Sequence, residues 1–481
     1  MKTIEQIATE LQGYDPQALS ASAVNDFLSR LVEPITDTEE LGLFDALGRV
    51  LAQAVISPIS VPPHDNSAMD GYAFNGAELR PDAPLVLRVV GTALAGKAWQ
   101  GSVATGECVK IMTGAIMPMG LDTVAPQELV TVRPESIPVR PELVEGLAQA
   151  SILRHAQDRP SSARTEIISI PPGLLQPGDN RRLKGEDVMG GQEALQKGEL
   201  LMPASLGLAA SLGIKTIQVF RQLKVAYFST GDEILSLGEA PREGAVYDSN
   251  RYTVFGLLKR LGCQVIDLGV VRDDPALLEA AFTQAARQAD AIITSGGVSV
   301  GEADFTKTMM KKLGDVAFWR IAMRPGRPMA VGKISVRAEP VEADASPSTS
   351  SGRTGKGSKH AQGREAVLFG LPGNPVAVMV TFLAFVRPAL LRMMGANIPA
   401  PPLLRARSTE AIRKKPGRTE YQRGTVTTAP DGSLQVQTTG NQGSGVLSSM
   451  VQANGLIVLH HEQGNVAVGD EVDVMMFGGV I

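Results

Sequence analysis

Between residues 223 and 393 the chain alternates short apolar runs with helix-length ones, a pattern that admits few folds. Strands are read at 224–228, 264–268, 291–294 and 367–369, and helices at 250–261, 275–288, 303–313 and 376–391. Such alternation predicts a parallel, doubly wound α/β sheet with helices on both faces. In that fold the loops after the strands emerge at one edge, and ligands bind in the crevice there.

The flanking regions read differently. Val24, Phe27, Leu28 and Leu31 lie at i, i+3, i+4 and i+7 behind Ser22, which predicts a capped helix, and residues 43–55 repeat the pattern as a second one. Residues 58–171 break into short alternating runs separated by Gly turns, the texture of a small β-rich domain. Residues 172–222 regain helical character near 204–212 and are expected to join residues 1–57 as an elongated N-terminal and linker domain. Residues 394–481 are again short strands with Gly turns, a C-terminal β domain.

Two segments look foreign to this plan. The run from Val139 to Glu145 is echoed from Val336 to Glu342, and the His155–Arg159 run from His360 to Arg364. Each lies between two strand-like runs where a hairpin turn belongs. Residues of about 135–165 and 336–365 are therefore expected to be disordered insertions, because they lack apolar periodicity and far exceed an ordinary turn.

The polar motifs fall after the α/β strands. They are Ser229-Thr230-Gly231-Asp232-Glu233, then Val271-Arg272-Asp273-Asp274, then 295–304, then Leu371-Pro372-Gly373-Asn374-Pro375. Ser295-Gly296-Gly297 strips away side-chain bulk so that backbone N–H groups can approach an anion. Gly373 and Asn374 precede Pro375 at the first turn of a helix. Glu233, Asp273 and Asp304 are carboxylates at the same edge, suited to a divalent cation or to activating water. Lys307, Arg320, Arg324 and Arg327 can offset phosphate charge. A Gly-Gly turn or a capping Asp is commonplace by itself; four loops converging on one edge make a site.

Outside this segment, residues 62–73, the Lys110–Gly114 strand end and the mixed-charge run 181–187 are dense in polar groups. Each is also readable as a turn network or a solvated hairpin. The whole set resembles the molybdopterin molybdenumtransferase family, the MoeA-like enzymes and the E domain of gephyrin. The resemblance rests on residues 65–73, Met112-Thr113-Gly114, Gly185-Glu186-Asp187, 229–233, 295–304, Arg324-Pro325-Gly326-Arg327-Pro328, 371–375 and Gly440-Asn441-Gln442-Gly443-Ser444. It covers the chain except the two foreign segments.

The resemblance implies a MogA-like α/β domain, a small β-rich domain and a C-terminal β-barrel-like domain. It implies insertion of molybdate into adenylated molybdopterin with release of AMP and involvement of Mg²⁺. A homodimer is implied too, with the small domain of one subunit completing the α/β site of the other. The catalytic positions carried over are Asp70, Thr113, Glu233, Asp273 and Asp304, the last three as metal ligands. Arg182, Asp187, Ser295, Gly296, Gly297, Lys307, Arg320, Arg324, Pro372, Gly373, Asn374 and Pro375 are the substrate-binding positions. Where the family often has Lys, this chain has Arg320, Arg324 and Arg327, which keep the charge but change the donor geometry. Molybdopterin adenylyltransferase and molybdoenzyme maturation proteins are the macromolecular partners to expect.

Two other readings compete. The same α/β domain occurs in CinA-like nucleotide pyrophosphatases, which lack the 65–73 loop and the run after Gly297, and gephyrin-like scaffolding belongs to a different class. Composition narrows the field further. Net charge is −4 and aromatics are 4%, which offers nucleic acid neither a basic surface nor stacking platforms. The two cysteines, Cys108 and Cys263, are far apart and form no Cys-x-x-Cys. The start carries no secretory pattern, and the uncharged stretch 366–386 is interrupted by Leu371–Pro375, so no membrane span and a cytoplasmic location are expected.

Overall fold

The computed structural model describes residues 3–11, 13–134, 166–298, 305–336 and 364–478. They form two compact units, one of Met1–Gln53, Gln196–Leu206 and Lys215–Ile481, the other of Ala54–Leu195 and Gly207–Ile214. The two foreign segments, at 135–165 and 337–363, lie outside the described residues. Residues 172–195 cluster with the β-rich unit rather than with the N-terminal helices. The cause is strand pairing: Arg181–Arg182 pairs with Asn66–Ser67, and Glu193–Leu195 with Val55–Ile56.

In the larger unit a six-stranded sheet runs in the order Gln264–Val271, Lys224–Thr230, Ala291–Ser295, Arg364–Leu371, Pro328–Val336, Gly314–Arg320. The first four strands are parallel, and the last two continue antiparallel. The sheet is thus mixed, not wholly parallel, because 328–336 pairs directly with 364–371 and needs no crossover helix.

Alternation along each strand explains the two-sided packing. Val225 and Tyr227 face one core with Ile293 and Phe369, whereas Ala226 and Phe228 face the other with Ile292 and Leu368. Helices Ser249–Arg260 and Pro375–Met393 cover the first face; Pro275–Gln288 and Phe305–Leu313 cover the second.

Pro375–Met393 is apolar enough to cross a membrane by composition, yet 78% of its most apolar 18 residues are buried inside the protein. It is a core helix. Its π turn at Phe382–Val386 stands ahead of Pro388, which has no N–H to donate.

The first expected helix is Ala21–Leu31, which follows a short helix at Ile4–Glu10, and Ser20 caps it by accepting from the Ala23 N–H at 3.2 Å. Ser22, the expected cap, bonds Ser20 Oγ instead. The second expected helix, over 43–55, does not form. Leu43–Asp45 is a single 3₁₀ turn after strand Thr38–Gly42, which pairs with Thr216–Phe220, and Gly48 at φ +73° ends any helical run.

Near the C-terminus, strands Thr419–Thr428, Leu434–Thr438, Leu404–Ser408, Glu471–Met476 and Gly455–Leu459 pair in sequence, and the last pairs back onto the first. This closed five-stranded barrel is filled by Val436, Ile457, Leu459, Val472 and Val474. The smaller unit holds its own six-stranded sheet, in the order Thr123–Pro126, Gly71–Phe74, Glu107–Ile111, Leu85–Ala93, Glu166–Ile170, Thr131–Pro134.

Candidate functional site

The strand order 264–271, 224–230, 291–295 reverses direction between the first and third strands in chain order, a topological switch point. A cavity of about 1040 Å³ opens there at the carboxyl edge. All four expected loops line it: Thr230, Gly231 and Glu233; Asp273; Ser295 to Val298; and Pro372 to Pro375. Arg324 and Arg327 enter from the loop after Met323, and Gln442 to Gly445 from beyond the barrel strand Leu434–Thr438.

Local geometry explains why these loops look as they do. Gly296 has φ +92°, and a Cβ there would lie 2.4 Å from the Thr230 carbonyl oxygen. Gly231, at φ +141°, leaves room for the Glu233 carboxylate, which a Cβ would meet at 2.6 Å. At Gly373 a Cβ would meet nothing within 4 Å, so its bare backbone faces open cavity. Neighbouring acids have separate duties: Asp274 caps helix Pro275–Gln288 through the Ala276 and Leu277 N–H groups, while Asp273 lines the cavity. Asp232 accepts from the Asp273 N–H at 3.3 Å and so ties two loops together. The Ser295 hydroxyl is engaged with Tyr227 Oη at 2.7 Å and with Ser229, so it secures the strand ends.

Three cavity features carry no prior expectation. Asp248 and Asn250 begin helix Ser249–Arg260 and line the cavity, and each keeps a buried oxygen without a hydrogen-bond partner among the described residues. An unpaired buried acceptor costs about 1–3 kcal/mol, so such atoms are uncommon in a stable core. Asp at a helix N-cap was a readable signal; its second oxygen was not. The third feature is Arg423, 1% exposed, which donates to the carbonyls of Asn441, Gln442 and Gly443 and shapes the C-terminal lining loop. Burial, with a smaller push from the Arg324 charge, pulls this guanidinium down to about 10.

Other expected site residues lie elsewhere. Lys307 is not part of the lining: it sits on helix Phe305–Leu313 with Nζ 5.9 Å from the Phe318 ring centre. Arg320 ends strand Gly314–Arg320 opposite Pro328 and also stays off the cavity wall. Asp304, with the run 299–304, lies outside the described residues. Among the described residues no three His, Cys, Asp or Glu side chains are gathered as a metal site.

The smaller unit gathers the remaining candidates. Asp70 Oδ1 accepts from the Thr113 N–H at 2.6 Å and from its hydroxyl at 2.8 Å. These bonds hold the Asp70 carboxyl below the usual carboxylate range. The 65–70 loop is fixed by backbone bonds from Gly114 to Ser67 and from Ala68 to Asn180. Arg182 pairs with Glu186, and the Asp187 N–H bonds the Val61 carbonyl. Cys108 and Cys263 are buried with thiols pushed up to about 12, which leaves neither as a nucleophile near neutral pH.

Comparison with known proteins agrees with this geometry. Residues 19–213 match the model of the MoeA N-terminal region (domain I and II). Residues 226–392 match the "Probable molybdopterin binding domain", and 405–477 the MoeA C-terminal region (domain IV). The molybdopterin molybdenumtransferase of Haemophilus influenzae is 39% identical over 94% of this chain and 98% of its own. That of a Nostoc species is 31% identical over 91% of this chain and 88% of its own. A crystal structure of a molybdopterin biosynthesis MoeA protein from Pyrococcus horikoshii OT3 shares the fold. Its TM-score is 0.69 at 24% identity, over 96% of this chain and all of that one. The full-length identity, the three consecutive domain matches and a cavity built by the expected loops lead to one conclusion: the chain belongs to the molybdopterin molybdenumtransferase family, enzymes of molybdenum cofactor biosynthesis.

Proposed function

We propose that the enzyme inserts molybdate into adenylated molybdopterin and releases AMP, in a Mg²⁺-dependent reaction. One observation carries this reading: a single cavity at the switch point presents cationic side chains, carboxylates and bare backbone together. Arg324 and Arg327 offset the charge of phosphate and molybdate oxygens. Gly373 presents bare backbone to an oxyanion. Water attacks the adenylate phosphorus and the bond to the bridging oxygen breaks, so AMP leaves carrying the water oxygen, a proton is released and molybdopterin keeps its terminal phosphate. The two dithiolene thiols bond molybdenum, and one molybdate oxygen departs with their protons as water.

Glu233 and Asp273 would hold Mg²⁺; an ion that keeps several waters and needs one or two carboxylates plus substrate phosphates fits that donor set. When bound, it neutralises developing charge on the pyrophosphate. A homodimer in the cytoplasm is part of this proposal.

The test is AMP release from adenylated molybdopterin with and without molybdate. Release that depends on molybdate, and that is lost in Glu233→Gln and Asp273→Asn with the fold intact, is the expected result. Release independent of molybdate would mark a nucleotide hydrolase, and wild-type turnover in both variants would remove the site assignment. Mixing Asp70→Asn with Asp273→Asn subunits tests the dimer: one of the two sites in each mixed dimer should recover, about a quarter of all sites after random exchange, and no recovery after verified exchange would count against sharing.

A further inference from the structure

Three buried polar atoms of cavity-lining residues lack a partner among the described residues: Asp248 Oδ2, Asn250 Oδ1 and Thr230 Oγ1. Their residues are 4%, 8% and 2% exposed. Asp248 uses its other oxygen to cap helix Ser249–Arg260, taking the Arg251 N–H at 3.0 Å. Asn250 Nδ2 donates to the Gly373 carbonyl at 2.7 Å. Because a carbonyl can only accept, the nitrogen of Asn250 is fixed on that side and its oxygen is the free end. Two of the three free atoms are therefore acceptors, and the third is a hydroxyl that can take either role.

The charge environment selects what they can hold. A phosphate or molybdate oxygen brings no donor and meets a carboxylate. A cation is opposed by the positive end of the helix that Asp248 caps. What remains is a neutral group rich in N–H or O–H. A ribose hydroxyl both donates and accepts, whereas the 2-amino and N3–H edge of a pterin only donates, which suits two acceptors better.

We propose that Asp248 and Asn250, with Thr230 beside them, form a subsite that reads the donor edge of the pterin by accepting its N–H groups. This rests on the molybdopterin reading of the cavity and extends it to residues that confer substrate specificity. Sites built around such bonds reject analogues that lack the donor, because a buried polar group is then left unpaired.

The test uses 6-hydroxymethylpterin, lumazine (which has a carbonyl in place of the 2-amino group) and AMP as probes in calorimetric titrations of the full-length enzyme. Wild type should bind hydroxymethylpterin at least tenfold more tightly than lumazine. Asp248→Ser retains a capping oxygen and should lose that preference while its AMP affinity and melting temperature stay as in wild type. If Asp248→Ser fails to fold, Asp248→Asn, which keeps the shape and the cap, is read in its place. Equal binding of the two pteridines, no binding of hydroxymethylpterin, or an unchanged preference in the variant overturns the proposal. A loss confined to AMP overturns it in favour of the ribose hydroxyls. If the pterin preference holds while wild type releases no AMP from adenylated molybdopterin, the subsite stands and the proposed reaction falls.

Discussion

The Arg423 guanidinium donates to the Gly443 carbonyl at 2.9 Å, so a fully buried barrel side chain holds one wall of the cavity. The same group bonds the Asn441 and Gln442 carbonyls and Ser449 Oγ, and the Arg423 N–H takes Gln442 Oε1 at 2.8 Å. Helix Pro375–Met393 is joined to this loop by the Val376 N–H, which bonds the Ser444 carbonyl.

Arg423→Met should therefore destabilise the enzyme by about 2–4 kcal/mol, since it strands several buried acceptors at once. Arg423→Lys keeps the charge without the planar fork and should recover only part of the loss. Urea unfolding together with AMP titration checks both. A lysine variant matching wild type in stability and affinity would show that the fork is dispensable.

Glycines of the two carboxyl-edge loops should respond in opposite ways. Alanine at Gly296 meets the Thr230 carbonyl at 2.4 Å from a backbone at φ +92°, and a cost of about 1–3 kcal/mol is expected. Alanine at Gly373 meets nothing within 4 Å and has no positive φ to strain. Its melting temperature should stay unchanged while AMP release falls at least tenfold, because the new methyl occupies the space where a ligand approaches the backbone. Unimpaired turnover in Gly373→Ala would exclude close approach at that position.

Much of the α/β unit was legible because its strands alternate between two cores and its helices carry ordinary signals. Helix Pro275–Gln288 starts at a Pro behind the capping Asp274 and was placed to the residue. The cavity loops were legible for the same reason, since they follow those strands. Residues 43–55 misled because apolar spacing over one or two turns does not separate a helix from a turn and a strand. What decided that segment was backbone bonding to residues about 150 to 170 positions away. Arg320 and Lys307 misled because charge says what a side chain could hold, not where it points. Asp248, Asn250 and Arg423 were missed as site residues. A cap, a helix start and a barrel arginine come to the cavity only through the tertiary fold, which no local pattern announces.

Asp290 ties the start of the α/β sheet to the preceding linker. Its carboxylate accepts from Arg221 at 2.7 and 2.9 Å and from the Lys224 N–H at 2.9 Å. Burial alone would raise its pKa, but these bonds outweigh it and hold the carboxyl below its ordinary 3.8. A carboxyl depressed in the folded state gives stability that is present above the unfolded value and lost as pH falls through the folded one. Asp290→Asn should therefore cost about 1–2 kcal/mol near pH 7, the pair being partly open to solvent, and the difference from wild type should shrink below about pH 4. Equal acid unfolding curves for the two proteins, offset by a constant at every pH, would contradict this linkage.

The two foreign segments each interrupt an antiparallel pair at its closed end. Pro134 stands directly opposite Glu166, and Val336 directly opposite Arg364. Residues 135–165 and 337–363 therefore leave and rejoin the fold at paired neighbours, a gap that a tight turn can bridge. Closing a loop of roughly thirty residues instead of a short turn costs about 1–2 kcal/mol in chain entropy, because the cost rises only with the logarithm of length. Replacing either segment with a short Gly-containing turn should preserve AMP release and raise the unfolding free energy by about that amount. Calorimetric melting and the AMP assay on both deletions check it. A deletion that still folds but no longer releases AMP would make the segment part of the catalytic machinery.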